Sequence, residues 1–208
     1  PAEIYQTIRD FIKAHPDDEW IRGSGWALPI FPDGNPRKEW LDKISTDKPI
    51  FLVSVDAHSA WLNSKALTLA GINAQMPDPP NGRIERYPKS NDPSGVLRED
   101  AMGLVEQLLP LYTKDQIDGG LKFAVEEANR MGITALLDAG TEGYVSYDSI
   151  QGHYDGLDSY REGTFNKKIS IRVAASQYAN PESWKNDLKQ IKAVSYTHLR
   201  AHAVSYTH

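Results

Sequence analysis

The chain contains no cysteine in its 208 residues. Disulfide bonds, thiolate metal sites and a cysteine nucleophile are therefore excluded. The sequence also lacks any apolar run close to the ~20 residues that a membrane span needs, and it lacks any cluster of Lys and Arg residues. We therefore expect neither a membrane nor a nucleic-acid partner. The composition leaves a cytoplasmic and a periplasmic location equally open.

What the chain does contain is typical of a mildly acidic globular protein. Its formal net charge is -5, and 40% of its residues are hydrophobic and 10% aromatic. This length and composition predict one sizeable core and argue against disorder.

Both ends of the chain differ from the sequence between them. The first residue is Pro1, and no signal peptide precedes the first helical pattern, so we expect part of the N-terminal sequence to be missing. The hexapeptide "AVSYTH" occurs at 193–198 and again at 203–208, a period too short for a repeat fold. We therefore predict one domain over 1–192 and a non-native tail over 193–208.

Strand and helix patterns alternate through residues 1–192. Strands are predicted where apolar and β-branched residues cluster, and helices where apolar residues recur every three or four positions. The predicted strands are 20–26, 49–55, 133–140 and 168–176. The predicted helices are one ending before Pro16, then 35–44, 59–69, 97–109, 114–131, 144–162 and 181–192, with 73–96 as a loop excursion that holds one short strand at 82–86.

This order of elements is typical of βα units and a parallel sheet in an α/β fold. About four such units are visible, whereas a closed barrel needs eight. The sheet is therefore either open or a piece of a barrel. Polar residues follow the predicted strands, and in (β/α) barrels the C-terminal ends of the strands carry the active site.

The stretch "VDAHSAWLNSKAL" at 55–67 is the densest of these polar segments. Asp56 could fix the tautomer of the His58 imidazole, which could then donate to a substrate carbonyl or bind a metal. Trp61 and Asn63 could offer a substrate an aromatic wall and an amide. The alternative is a polar turn in which Asp56 and Ser59 cap a helix and Trp61 packs in the core.

Three other residues are candidates for the same site. Glu99, in "SGVLRED", could bind a metal or handle the proton of a water molecule, or it could simply favour a helix N-terminus. Trp26, after "GSG", could line a pocket or pack in the interior. Asp138 ends a predicted strand and could enter the site or cap the next helix.

Five stretches of the sequence resemble one known family when they are taken together. They are "WIRGSGW", "LD" at 41–42, "VDAHSAWLNSKAL" with "AGI" at 70–72, "PSGVLREDA" at 93–101 and "NRMGITALLDAG" at 129–140. Residues 3–190 thus resemble the amidohydrolase family 3 branch of the metal-dependent hydrolases, the group that includes N-substituted formamide deformylase. The resemblance implies a (β/α)8 TIM-type barrel with a small β-sandwich. It also implies hydrolysis of a non-peptide carbon–nitrogen bond in a small amide-type substrate by a metal-activated water.

The sequence departs from the family pattern in its metal ligands. That pattern has a His-x-His pair, a bridging carboxylate or modified lysine, two further histidines and a late Asp, with zinc as the expected divalent metal. The resemblance gives Glu99 the bridging or catalytic carboxylate, but no His-x-His occurs. It therefore implies an internal fragment, about strands two to five of the barrel without its first and last strands. We expect this fragment to retain no metal, to be inactive alone and to self-associate through exposed strand edges.

Two other interpretations remain open at this point. One is a non-catalytic α/β module that binds a small molecule or a partner chain. The other is an unrelated open α/β sheet whose polar turns serve only as caps. The second predicts that His58, Glu99 and Asp138 point to different sides of the fold.

Overall fold

The computed structural model describes residues 2–138, 159–160, 169–177 and 202–203, and for 175–177 and 202–203 the backbone only. It divides the chain into two compact units, Pro1–Pro110 and Leu111–His208. The predicted helix at 181–192 lies outside the described residues, as does the helix predicted at 144–162 except for its positions 159–160.

The first unit begins with helix α1, Ala2–Ala14. Its apolar residues recur every three or four positions, which turns one face towards the core. On that face Ile8 is buried, with Ile4 and Ile12 packed around it. The helix stops before Pro16, which cannot continue a helix because it lacks a backbone N–H. The predicted N-terminal helix is therefore confirmed.

Five strands form the sheet of the first unit. They are β1 (Ile21–Trp26), β2 (Ile50–Ser54), β3 (Ser59–Leu62), β4 (Gly82–Arg86) and β5 (Pro93–Glu99), in the spatial order β1-β2-β3-β5-β4. Only β1 and β2 pair in parallel, and the other three pairings are antiparallel. The prediction of a parallel sheet is thus wrong for β3, β4 and β5. Short turns connect β2 to β3 and β4 to β5, and such turns can join only antiparallel strands.

Two predicted helices of the first unit begin instead as strands. The helix predicted at 59–69 is replaced by β3 followed by helix α3, Ser64–Leu69. Every residue of β3 is buried, because the strand lies between β2 and β5 in the middle of the sheet. A segment buried on both faces has no amphipathic period that would separate strand from helix.

The region 73–109 also differs from its prediction. The loop excursion at 73–96 contains β4 and the start of β5, and the short strand at 82–86 is confirmed. The helix predicted at 97–109 is reduced to α4, Gly103–Glu106, because β5 continues to Glu99. The helix predicted at 35–44 is reduced to α2, Lys38–Asp42.

Two apolar clusters cover the sheet of the first unit. One contains Phe51, Leu62, Leu97 and Val105, and the other contains Ile8, Trp26, Leu41 and Trp61. Trp61 lies at the centre of an aromatic group, with ring-centroid distances of 5.1 Å to Phe31, 6.3 Å to Trp26 and 6.4 Å to Trp40. Edge-to-face pairs of this kind add to the free energy gained by burial.

One glycine allows α2 to approach the sheet closely. Gly95 on β5 has a φ of 110°, and a Cβ atom there would lie 2.7 Å from the backbone nitrogen of Lys38. A side chain at this position would therefore displace the start of α2 or the strand.

The second unit contains helix α5, Lys114–Arg130, which confirms the helix predicted at 114–131. Thr113 and Gln116 form a reciprocal capping box at its start, and Gly132, with a φ of 75°, follows its end. Val125 and Ala128 are buried, whereas Met131 is 63% exposed. Met131 lies at the C-cap, outside the helical backbone, and its side chain does not join the buried face of the helix.

Three parallel strands accompany α5. They are β6 (Ala135–Asp138), β7 (Arg172–Gln177) and β8 (His202–Ala203), with β7 between the other two. The strands predicted at 133–140 and 168–176 are therefore present, and their parallel pairing agrees with the expectation for βα units. Val125, Ala128 and Ile171 form the small core of this unit. The strand β8 lies within the segment 193–208.

Candidate functional site

The candidate site lies where β3 begins and β5 ends, at one end of the first unit's sheet. Ser59 and Arg98 are the last cross-strand partners of these two antiparallel strands. One position further, the Glu99 backbone N–H donates to the carbonyl of His58 over 3.2 Å. The side chains of the same two residues meet, with 3.0 Å between His58 Nδ1 and Glu99 Oε2. The sequence predicted both residues, and the structure brings them together.

The backbone on both sides of this pair adopts the left-handed conformation. Ala57 has a φ of 64° and Glu99 a φ of 49°. Neither residue type favours that region, where a side chain costs roughly 1–2 kcal/mol. Residues held there concentrate at functional sites. At Glu99 this conformation ends the extended strand directly beside His58.

Asp56 fixes the turn that carries His58. Its Oδ1 accepts hydrogen bonds from the Ser54 hydroxyl at 2.5 Å and from the His58 backbone N–H at 3.2 Å. These bonds, first that from Ser54 and then that from His58, lower the pKa of the Asp56 carboxyl. Asp56 therefore stays ionised and orders residues 55–58, while His58 pairs with Glu99.

His58 remains accessible although it is paired. Its side chain is 67% exposed and that of Glu99 54%. The hydrogen bond to Glu99, together with the charge of that carboxylate, raises the pKa of His58, and the charge of Asp56 adds to the effect. Within the described part of the chain the ring nitrogen Nε2 has no hydrogen-bond partner. The imidazole can therefore offer or accept a proton at Nε2 while Glu99 orients it through Nδ1.

Three of the predicted substrate-binding residues lie in the interior. Trp26 and Trp61 are buried, and their indole N–H groups donate to the carbonyls of Leu52 and Arg37. Asn63 is fully buried and caps α3 through the bond from Ala66 N–H to its side-chain oxygen. These positions favour structural roles, and a substrate-binding role for the three residues stays a prediction.

Asp138 belongs to the second unit, where it ends β6 as predicted. Its Oδ2 accepts a hydrogen bond of 2.8 Å from the Tyr160 hydroxyl. Burial, with this hydrogen bond and the charge of Asp138, raises the pKa of Tyr160. A role for Asp138 beside His58 stays a prediction.

Sequence reasoning missed two residues next to the pair, Ser54 and Arg98. The buried hydroxyl of Ser54 bonds to Asp56 and accepts the N–H of Ser59 at 3.0 Å. Arg98 bonds to Ser59 on the neighbouring strand. The sequence pointed to Ser54 only as a small polar residue at the end of an apolar run. The role of Arg98 could not be predicted from the sequence, because it depends on the register of β3 and β5.

The described residues do not supply the metal site that the resemblance implies. Among them no group of three or more His, Asp or Glu side chains could hold a metal ion. His58 and Glu99 are paired with each other, and a metal-binding role for Glu99 stays a prediction. Among the described helices, none is both long and apolar enough to cross a membrane.

The chain is similar to known proteins in both fold and sequence. An uncharacterized metal-dependent hydrolase from Pyrococcus horikoshii OT3 has a similar fold, with a TM-score of 0.50 at 18% identity over 93% of this chain and 33% of that one. Protein LONG AFTER FAR-RED 3 of Arabidopsis thaliana is 31% identical over 171 residues, which are 82% of this chain and 29% of that protein. N-substituted formamide deformylase of Arthrobacter pascens is 36% identical over 104 residues, 50% of this chain and 19% of that protein.

The fold is thus a mixed α/β fold similar to that of a metal-dependent hydrolase. The model of the amidohydrolase family matches residues 1–203, and the chain belongs to that family. The assignment made from the five sequence stretches is confirmed. The chain spans about a third or less of the length of the proteins that it matches.

Proposed function

We propose that this chain is part of an enzyme that hydrolyses non-peptide carbon–nitrogen bonds in small amide-type substrates. The observation that carries the proposal is the exposed pair of His58 and Glu99, 3.0 Å apart at the end of the sheet. Membership of the amidohydrolase family supports the reaction class. The similarity to a deformylase of N-substituted formamides supports the substrate class.

His58 is the proton-transfer group in this proposal. Hydrolysis of an amide adds water to the carbonyl carbon and breaks the bond to nitrogen, and the departing nitrogen must receive a proton. An imidazolium can deliver that proton from Nε2. Glu99 favours the protonated ring through Nδ1, and Asp56 holds the turn on which the ring is mounted. Glu99 therefore acts as the orienting carboxylate.

A divalent metal, with zinc as our expectation, is the cofactor that family membership suggests for the whole enzyme. Such an ion lowers the pKa of a bound water to ~7. The described residues do not provide its ligand set, so no step is assigned to it here. We propose that the 208-residue chain by itself binds substrate without turning it over.

The (β/α)8 barrel is also part of this proposal, and its support comes from the second unit. There β6 and β7 pair in parallel, as barrel strands do. The sheet of the first unit, with three antiparallel pairings, does not have the all-parallel pairing of barrel strands.

A non-catalytic module that binds a small molecule or a partner chain is the second candidate. The observation that favours it is the lack of a three-residue ligand group among the described side chains. The exposed imidazole and carboxylate would then serve recognition only.

The proposal is tested by titrating the 208-residue chain with N-butylformamide and following the His58 ring by NMR. We expect the His58 resonances to shift on binding. His58→Gln should weaken binding about tenfold, the equivalent of one hydrogen bond of ~1.4 kcal/mol. His15→Gln is the matched control, because His15 is an exposed histidine on another part of the unit, and it should bind like the parent chain.

The same samples show whether formate is released when Zn²⁺ is added. We expect binding without formate from the chain alone. Release of formate that is lost in His58→Gln would exclude the second candidate. A chain whose His58 resonances do not respond to the amide would contradict the proposed site.

A further inference from the structure

Arg98, the residue before Glu99 in β5, makes three separate side-chain hydrogen bonds. Its Nε donates to Glu85 Oε1 at 2.6 Å, its Nη1 to Ser59 Oγ at 2.9 Å and its Nη2 to Asn35 Oδ1 at 2.8 Å. The Arg98 side chain is 24% exposed and that of Glu85 is 11% exposed. The guanidinium thus connects β5 with β4, with β3 and with the segment before α2.

The sequence positions of these partners relate the network to the site. Arg98 immediately precedes Glu99, and Ser59 immediately follows His58. The two are cross-strand partners in the register of β3 and β5. The bond between them is therefore the last side-chain link across the strands before the pair.

Beyond this link the backbone of both strands leaves the extended conformation. Glu99 and Ala57 have positive φ angles, so the regular ladder of backbone hydrogen bonds does not continue past the bond from Glu99 N–H to the His58 carbonyl. The distance between the His58 ring and the Glu99 carboxylate consequently depends on how firmly Ser59 and Arg98 hold the two strand ends.

We propose that Arg98 is a positioning residue that keeps His58 and Glu99 opposite each other by linking Ser59 to Glu85 and Asn35. It does not contact substrate. The functional meaning of this role rests on the proposed function, but the geometric claim can be tested without any substrate.

The test is long-range ¹H–¹⁵N NMR of His58 in the folded 208-residue chain. Above its titration midpoint, the His58 ring of the parent chain should carry its proton on Nδ1, because that nitrogen faces Glu99. In Arg98→Gln the share of rings protonated on Nδ1 should fall. The His58 titration midpoint should fall with it, because the nearby carboxylate is no longer held in place.

The sign of the change in the His58 titration midpoint distinguishes a positioning role of Arg98 from the simple loss of its charge. Removing a nearby cation lifts a repulsion and by itself raises the pKa of an imidazole. Arg83→Gln is the matched control. Arg83 pairs with the same Glu85 at 3.3 Å but is 68% exposed, and Ser59 is bonded to Arg98 instead. Arg83→Gln should therefore leave the His58 tautomer unchanged.

Ser59→Ala decides the matter if Arg98→Gln does not fold. This variant removes the hydroxyl that accepts from Arg98 and leaves every charge in place, and it should shift the tautomer and the midpoint in the same direction as Arg98→Gln. An unchanged tautomer in the folded Arg98→Gln or Ser59→Ala variant, or a raised midpoint in Arg98→Gln, would overturn the proposal. Failure of the chain to bind the amide would leave this result unaffected.

Discussion

His58 and Glu99 lie 41 positions apart in the sequence, and they meet because His58 directly precedes β3 and Glu99 ends β5, at the same end of one antiparallel pair. Sequence reasoning could select each residue from its chemistry and from the resemblance. It could not predict their contact, because that contact depends on the register of β3, a segment that was interpreted as helix. Asp56 was predicted to assist His58 through the imidazole, but its oxygen bonds to the backbone N–H of His58.

Glu106, which sequence reasoning did not select, gives a prediction at the scale of one residue. Burial raises the pKa of this half-buried carboxyl from 4.5 to about 7. The folded state therefore binds a proton more tightly than the unfolded state, and the free energy of unfolding decreases as the pH rises from about 4.5 to about 7. Glu106→Gln should stabilise the chain by about 1–3 kcal/mol at pH 8 and change little near pH 4.

Urea unfolding at the two pH values measures this difference. Glu19→Gln is a suitable control, because Glu19 is exposed, and its effect should be small at both pH values. An equal effect of Glu106→Gln at pH 4 and pH 8 would show that burial of the charge is not the cause.

At the scale of elements, the segment 59–69 shows what sequence periodicity misses. Its first four residues form the central strand β3 and its last six form α3. Asn63 divides the two, because its side-chain oxygen accepts the N–H groups of Ile50 and Ala66 while its amide donates to the carbonyls of Ser45 and Lys48. A single asparagine thus ends one element, starts the next and holds the chain before β2, a role that no local pattern distinguishes from substrate binding.

Asn63→Ala should therefore destabilise the first unit strongly. The change removes a helix cap worth ~1 kcal/mol and leaves buried backbone groups without partners at about 1–3 kcal/mol each, so we expect a loss of about 3–4 kcal/mol. Chemical denaturation measures it. Asn73→Ala is the matched control. Asn73 is exposed, and its side chain bonds only within its own turn. Its backbone carbonyl, which the substitution keeps, accepts from Arg86. A loss no larger than that of Asn73→Ala would contradict the structural role of Asn63.

At the scale of the whole molecule, the sequence supported the family and the coarse fold class better than the topology. The helices α1 and α5 have apolar residues at helical spacing, and the strands β2, β6 and β7 contain runs of apolar and β-branched residues, so these elements were predictable. The antiparallel part of the first unit was not predictable in the same way. β3 and β5 are buried strands without alternation, and each overlaps a segment that was interpreted as a helix. The second unit retains the parallel pairing that the βα pattern predicted.

The proposed function depends on the pairing of His58 with Glu99, and titration of the His58 ring tests this pairing most directly. The His58 ring is titrated by NMR in the parent chain and in Glu99→Gln, with Asp100→Asn as the control for loss of a neighbouring charge. The Glu99 carboxylate raises the pKa of His58 above its ordinary value of 6.5. The pair's stabilising contribution is therefore complete below pH 6.5 and is lost as the pH rises through the folded-state pKa.

We predict a His58 midpoint above 6.5 in the parent chain and in Asp100→Asn, and a clear fall towards 6.5 in Glu99→Gln. The same midpoint in the parent chain and in Glu99→Gln would contradict the account, because His58 would then titrate without its proposed partner.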